Sequence, residues 1–330
     1  MTQFARMFMQ YVYKDKSSFL EYGNIGDCIQ NIAVENLYEK LNINNLIQIN
    51  RDDLYTYDGP VASLVMQGWF GNTNGTFPLP WSDKIKPIFL GFHVSANNNS
   101  WELFVANNVA KYMQEYQPIG CRDRNTQKFL QSFGLNAYFS GCLTLTFDKR
   151  CSAPKQGKIF IVDLNTKSLR DLPNKIRNSG DFSITHLYKF DKFPITESDA
   201  KEFETSARKI LERYKTEASL VITSRIHVAM PCVAMGIPVI FITDRPNDER
   251  FDVLRGILPV YHYRDMKYVN WNPKPVNIEN LKKAILDNAI AQITGINQEK
   301  NRLALEQKTA LMRPIKTKSL FRYILNKLVY

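Results

Sequence analysis

Apolar segments of strand length alternate with segments of helical period along most of the chain, a pattern that predicts a parallel α/β architecture. In the first half, strands are expected at LIQIN (46–50), ASLVMQG (62–68), PIFLGFHV (87–94), PIGCR (118–122) and YFSGCLTLTF (138–147). Helices are expected between them, at about 26–41, 101–116 and 124–133. The second half repeats the scheme. KIFIVDL (158–164), SITHLY (183–188), SLVITS (219–224), PVIFIT (238–243) and LPVYHY (258–263) read as strands, with helices near 171–178, 198–216 and 227–235 and a long polar helix over about 278–311. The polar stretch DKRCSAPKQGK (148–158) carries Pro and Gly and reads as a linker. The expected division is an N-terminal α/β domain over 1–150, a C-terminal α/β domain over 151–312 and a basic amphipathic helix over 313–330. Two Rossmann-like halves facing one another hold a ligand in the cleft between them, outside the carboxyl ends of the strands.

Three junctions would bring polar side chains to that cleft. SLVITS ends at Arg225, and a helix starts at Ile226 or His227. First-turn N–H groups and a guanidinium there favour a phosphate or carboxylate, and His227 could deliver a proton. The bland alternative is that Arg225 pairs with an acidic residue and His227 caps the helix. PIGCRDRNT repeats the geometry with Arg122, which Asp123 could instead hold in an internal ion pair. YGNIGDCIQNIAVENL sets Asp27 in a first helical turn, where capping alone would explain it. The turn lacks the G-x-G-x-x-G spacing of a dinucleotide site, and the sequence has neither a P-loop nor an Asp-x-Asp.

Other residues have two readings each. His93 in GFHVS lines an acceptor side or is a hydrogen-bonded structural histidine. Trp69, with Phe70, stacks on a sugar or packs the core. Arg245 and Arg250, in the charged loop after 243, assist phosphate binding or form solvated ion pairs. Cys142 reads as packing.

Composition adds compartment and charge. Five cysteines without a C-x-x-C pair predict a reducing environment and no disulfides, and the N-terminus lacks the pattern of a signal peptide. A cytoplasmic protein is expected, in which the sequons at Asn74 and Asn98 carry no meaning. The net charge of +11 is uneven, since residues 300–330 hold eight Lys/Arg against Glu306 alone, leaving +4 on the rest. In that tail Leu320, Phe321, Ile324, Leu325 and Leu328 share a helical face, with Lys318, Arg322 and Lys327 off it. It either contacts an anionic membrane surface or docks on its own domain.

Together the stretches GNIGDCIQNIA, QGWFG, PIFLGFHVS, PIGCRDRNT, YFSGCLTLTF and ITSRIHVAMPCVAMGIPVIFI resemble the polysaccharide pyruvyl transferase family, over about residues 20–250. The resemblance implies a two-domain fold like that of GT-B glycosyltransferases. It also implies transfer of pyruvate from phosphoenolpyruvate to a sugar, typically as a cyclic ketal. By motif, Arg225 and His227 match the family's S-R-x-H donor site, Arg122 its G-x-R-D segment and Asp27 its N-x-G-D turn. The expected roles are His227 as acid, Arg122 and Arg225 as donor anchors, and Asp27 as acceptor of a hydroxyl proton. His93, Trp69 and Arg245 are secondary candidates. No metal or cofactor is expected, and no nucleic-acid partner. The partners are phosphoenolpyruvate and a sugar or lipid-linked oligosaccharide, with peripheral contact at the inner membrane face. The runner-up readings are a metal-independent GT-B glycosyltransferase and a non-catalytic binder of anionic glycan or lipid.

Overall fold

The computed structural model describes residues 3–8, 22–70, 80–94, 109–191 and 195–315. Its strands and helices run in the order β1 (Gln3–Phe8), β2 (Tyr22–Asn24), α1 (Ile25–Lys40), β3 (Ile47–Asn50), β4 (Ala62–Trp69), β5 (Ile85–His93), α2 (Val109–Gln114), β6 (Ile119–Cys121), α3 (Arg124–Gln131) and β7 (Ala137–Phe139). The second half adds β8 (Lys158–Val162), α4 (Thr166–Arg170), α5 (Asn174–Ser179), β9 (Gly180–Asp181), β10 (Leu187–Lys189), α6 (Glu197–Glu217), β11 (Ala218–Thr223) and α7 (Ile226–Ala234). It continues with β12 (Val239–Thr243), α8 (Asp252–Arg255), β13 (Val260–His262), α9 (Glu279–Thr294) and α10 (Gln298–Ala310).

Two parallel sheets result, ordered β3-β1-β4-β5-β6-β7 and β13-β12-β11-β8-β9. The mixed α/β class expected from the alternation is therefore present. Period-two burial explains the layers. In the second sheet Phe160, Val162, Val221, Val239 and Phe241 enter a central core, while Ile161, Leu220, Ile222, Ile240 and Ile242 enter the opposite one. In the first sheet Val65 and Leu90 face the central core, and Leu64, Met66, Phe89 and Phe92 face away from it.

The central core holds α1 together with α6 and α7, so helices from both halves of the chain share it. Tyr38 docks α1 on the first sheet: its hydroxyl donates to the Ala5 carbonyl at 3.1 Å and accepts from Val65 N at 3.3 Å. At the other end of α1, β2 pairs antiparallel with β10, and the Ile25 N–H donates to the His186 carbonyl at 2.9 Å. Arg6 and Arg208 share Glu35 and Glu204, tying β1 and α1 to α6.

Several elements differ from expectation. YFSGCLTLTF is a strand only through Phe139. The chain then turns at Gly141, and Leu143–Thr146 form a buried 3-10 turn, with Leu143 N donating to Gln67 Oε1 at 2.8 Å. An apolar run without clear period fits either form, and a side-chain acceptor decided it. SITHLY yields only β10, because the Ser183 and His186 N–H groups donate to the Asp181 and Asp163 side chains instead of a ladder. The helix expected at 171–178 is α5, which starts only after Pro173, and the separate short helix α4 precedes it. The long helix over 278–311 is broken into α9 and α10 by Gly295 at φ +75°, a left-handed cap. β1 went unrecognised. Of the expected 101–116 helix, the part described is α2. The tail helix falls largely at 316–330, outside the described residues; Arg313, Pro314 and Ile315 are not helical.

Candidate active site

The carboxyl ends of β4, β6, β8, β11 and β12 open on one cleft of about 920 Å³. Asp27, Trp69, Arg122, Arg225, His227 and Arg245 all line it, so the first-half and second-half candidates are brought together. His93 does not line it. Phe70 packs with Trp81 and Phe92 in the outer core, whereas its neighbour Trp69 reaches the cleft.

Arg122 follows β6 and is 2% exposed. Its Nη1 donates to Gln30 Oε1 at 2.9 Å and lies 3.4 Å from His227 Nε2. Its Nε has no hydrogen-bond partner. No carboxylate hydrogen-bonds to Arg122 among the described residues. The internal ion pair with Asp123 is thus replaced by another arrangement: Asp123 caps α3, accepting from Thr126 N at 2.8 Å, and its Oδ2 accepts from His93 Nδ1 at 2.6 Å. Burial pushes the Asp123 carboxyl up, but the bonds from His93 and Thr126 and the nearby Arg122 charge outweigh it and hold the group low. Burial and Arg122 lower His93 against the pull of Asp123. Nδ1 is the nitrogen that donates to Asp123, and Nε2 is without a hydrogen-bond partner.

A bulge in β5 turns His93 that way. Met66 pairs with Phe89 but Gly68 with Phe92, so β5 carries one extra residue there. Gly91, at φ +72°, supplies the left-handed backbone, and the inserted residue moves His93 to the face opposite Phe92.

His227 stands in the first turn of α7, behind a cap position, Arg225, that makes no side-chain capping bond. Burial first, then the Arg122 charge, pushes its pKa well below that of an ordinary histidine. Its Nδ1 has no hydrogen-bond partner. Arg225 does not sit against His227: its Nε donates to Asp163 Oδ2 at 3.1 Å, the acidic partner of the bland reading. On the α1 wall, Asn24 caps the helix by accepting from Gly26 N, and Asp27 Oδ1 accepts from Gln30 Nε2 at 3.3 Å. Arg51 Nη1 lies 3.7 Å from Asp27 Oδ2. Gly26 is needed for closeness, because a Cβ there would stand 2.9 Å from the Cβ of His227.

The loop after β12 forms the rim. Arg250 donates through Nε and Nη2 to Asp248, and Arg245 is mostly exposed beside Asp244. Glu249 Oε2 accepts from Asn125 Nδ2 at 2.7 Å, joining the rim to α3.

Sequence reasoning missed Gln30, Asp163 and His186. Gln30 was findable, since it lies one turn beyond Asp27 on the same face. Asp163, just past a buried strand, and His186, in a segment misread as a strand, had no comparable signal. Burial and the Arg225 charge lower the His186 pKa, and its Nε2 lies 3.0 Å from the Tyr214 hydroxyl. Among the described residues, no group of three or more His, Cys, Asp or Glu could hold a metal ion, and no helix is long and apolar enough to cross a membrane.

Among solved structures, a functionally uncharacterised protein from Klebsiella pneumoniae subsp. pneumoniae is similar, with a TM-score of 0.43 and 15% sequence identity, covering 75% of this chain and 87% of that one. Comparison with curated proteins gives no match. The model of the family described as polysaccharide pyruvyl transferase matches residues 24–245, from the cap of α1 to the rim of the cleft. That span contains Asp27, Trp69, Arg122, Arg225, His227 and Arg245, and the chain belongs to the polysaccharide pyruvyl transferase family.

Proposed function

We propose that this protein moves a pyruvyl group from phosphoenolpyruvate onto two hydroxyls of a sugar in a bacterial surface polysaccharide or its lipid-linked precursor. The observation that carries this reading is the state of Arg122, a buried guanidinium that bonds neutral Gln30 and His227 and no carboxylate among the described residues. Asp123 and Asp27 act on Arg122 only through space, and a buried cation with no carboxylate bonded to it is costly, a cost that a small anion in the cleft offsets. Phosphoenolpyruvate bears a carboxylate and a phosphate on one enol carbon, so two guanidiniums rooted in different sheets suit its two ends.

The chemistry then draws on side chains of the cleft. A guanidinium can only donate, so the contact with Arg122 makes His227 Nε2 an acceptor and puts the ring proton on Nδ1. An arriving dianion raises the depressed pKa of His227, so that the ring takes a second proton from solvent and becomes the acid. His227 protonates the methylene carbon, and the enol carbon becomes oxocarbenium-like. A sugar hydroxyl adds to it, with Asp27 accepting its proton. The bond to the phosphate oxygen breaks, the second hydroxyl adds, and the ketal closes. Of the two hydroxyl protons, one restores His227 and the other leaves with phosphate or solvent. Trp69 offers an aromatic face to the sugar.

The test is direct: purified protein, phosphoenolpyruvate and candidate glycans, read by phosphate release and by mass spectrometry for added pyruvate. Turnover of sugar nucleotides with no response to phosphoenolpyruvate overturns the reading. With a lipid-linked acceptor, the basic segment 313–330 would hold a cytoplasmic enzyme at an anionic membrane face. Deleting residues 316–330 should then abolish binding to anionic liposomes, and undiminished binding would refute that role.

A further inference from the structure

Asp163, immediately after β8, adopts φ +50°, a left-handed conformation uncommon for a residue with a side chain. Its side chain is 11% exposed and fully engaged. Oδ2 accepts from Arg225 Nε at 3.1 Å and from the His186 N–H at 3.0 Å, and Oδ1 accepts from the Thr185 hydroxyl at 2.8 Å. The Asp163 carbonyl accepts from Ser224 Oγ at 2.7 Å. The His186 carbonyl accepts the first N–H of α1, from Ile25. One residue in a constrained conformation thus links Ser224 and Arg225, after β11, to the segment that holds the start of α1.

The consequence for Arg225 is geometric. Its only side-chain hydrogen bond among the described residues leaves from Nε. The edge formed by the two terminal nitrogens is left open, and that edge takes the two oxygens of a carboxylate or phosphate side by side. We propose that Asp163 is a positioning residue for the donor anion site, fixing the Arg225 guanidinium through Nε so that its terminal edge meets the anion in the cleft. This inference rests on the pyruvyl-transfer reading. A negative charge beside an anion site weakens the net attraction, so its use there is to orient the cation. Asparagine would tolerate the same backbone; its single amide oxygen could keep the bonds from Arg225 and His186 while its NH2 donates to the Thr185 hydroxyl, but without the charge that holds a guanidinium.

The test is a double-mutant cycle on the full chain, reading phosphoenolpyruvate binding by calorimetry and turnover by phosphate release. Asp163→Asn should weaken binding and raise the donor KM by about tenfold, with kcat within about threefold and the melting temperature nearly unchanged. Asp163→Gly, which relaxes the left-handed backbone, should weaken binding at least as much and serves if the first variant folds poorly. In an Arg225→Ala background, Asp163→Asn should change binding by less than about twofold, because the residue acts through Arg225. Binding by both Asp163 variants within about twofold of wild type overturns the proposal, as does an equal loss in the Arg225→Ala background. Wild-type protein that binds inorganic phosphate but not phosphoenolpyruvate removes the pyruvyl-transfer reading, and the same cycle run with phosphate still decides the role of Asp163. Wild-type protein that binds neither overturns both.

Discussion

Arg122 Nη1 and His227 Nε2 stand 3.4 Å apart, a guanidinium from the end of β6 meeting an imidazole from the start of α7. The pair joins residues 105 positions apart in sequence, and among the described residues neither has another charged partner at hydrogen-bond distance. Replacing Arg122 by Gln keeps a donor and removes the charge. The donor KM should then rise more than about tenfold, as expected when a charge-assisted bond to a desolvated anion is lost. An unchanged KM would separate Arg122 from the donor.

His227→Ala should act on the chemical step. General acid catalysis contributes about 10²–10⁴-fold, so kcat should fall within that range while donor affinity measured by calorimetry shifts only slightly. Equal, mild losses at His227, Arg122 and Arg225 would dissolve the assignment of separate roles.

Three buried histidines give folding stability a pH dependence of definite sign. His93, His186 and His227 all have pKa values below the ordinary 6.5 in the folded protein. Below about pH 6.5 the unfolded chain therefore binds protons that the folded chain does not, and stability falls as pH falls. Each histidine can contribute up to about 1.4 kcal/mol per pH unit until its folded pKa is reached. Asp123 is depressed in the opposite sense of charge, and its contribution is lost only below the ordinary carboxylate pKa near 3.8. Urea unfolding at pH 7.5 and 5.5 should show the loss, and His186→Gln should reduce the slope between the two.

Gly26→Ala should be destabilising although alanine is the better helix former. A Cβ at 26 would stand 2.9 Å from the His227 Cβ and 3.2 Å from Asn24 Oδ1. Overpacking of this kind costs about 1–3 kcal/mol, and the ring it displaces is the proposed acid. Thermal melting and turnover should fall together, and a variant of full stability and activity would show that the helices can separate freely.

Glu204→Gln should weaken the join between the halves. Arg6 and Arg208 donate to Glu204 at 2.9 and 2.7 Å, and burial of Glu204 is outweighed by those bonds, which hold its pKa low. Loss of a partly buried charge-assisted pair costs about 1–3 kcal/mol, measurable as a lower urea midpoint at neutral pH. A midpoint equal to wild type would make the network a surface ornament.

Most strands of both sheets, β1 and β9 excepted, and the arginines at their ends were legible because strands buried on both faces read as short continuous apolar runs, as in Phe160, Ile161 and Val162. Arg122, Arg225 and His227 were found because a strand-to-helix junction aims its first polar residues at one rim. The fine geometry was not legible. The extra residue in β5 that redirects His93 leaves no local signature apart from Gly91, itself unremarkable in a strand pattern. Nor could the pattern distinguish a strand from a 3-10 turn at Leu143–Thr146, where Gln67, remote in sequence, supplies the acceptor. Asp163 became visible only once β8 and β11 lay side by side.

Because α1 is buried in one core with α6 and α7 while Tyr38 pins it to the first sheet, the two sheets are not free to swing like jaws. Any hinge opening would strip Leu37, Ile29 and Ile32 from their neighbours, at about 1.5–3 kcal/mol for each side chain fully exposed. A ligand would then reach the cleft through its existing mouth, past the rim that carries Asp248 and Arg250, without the sheets parting.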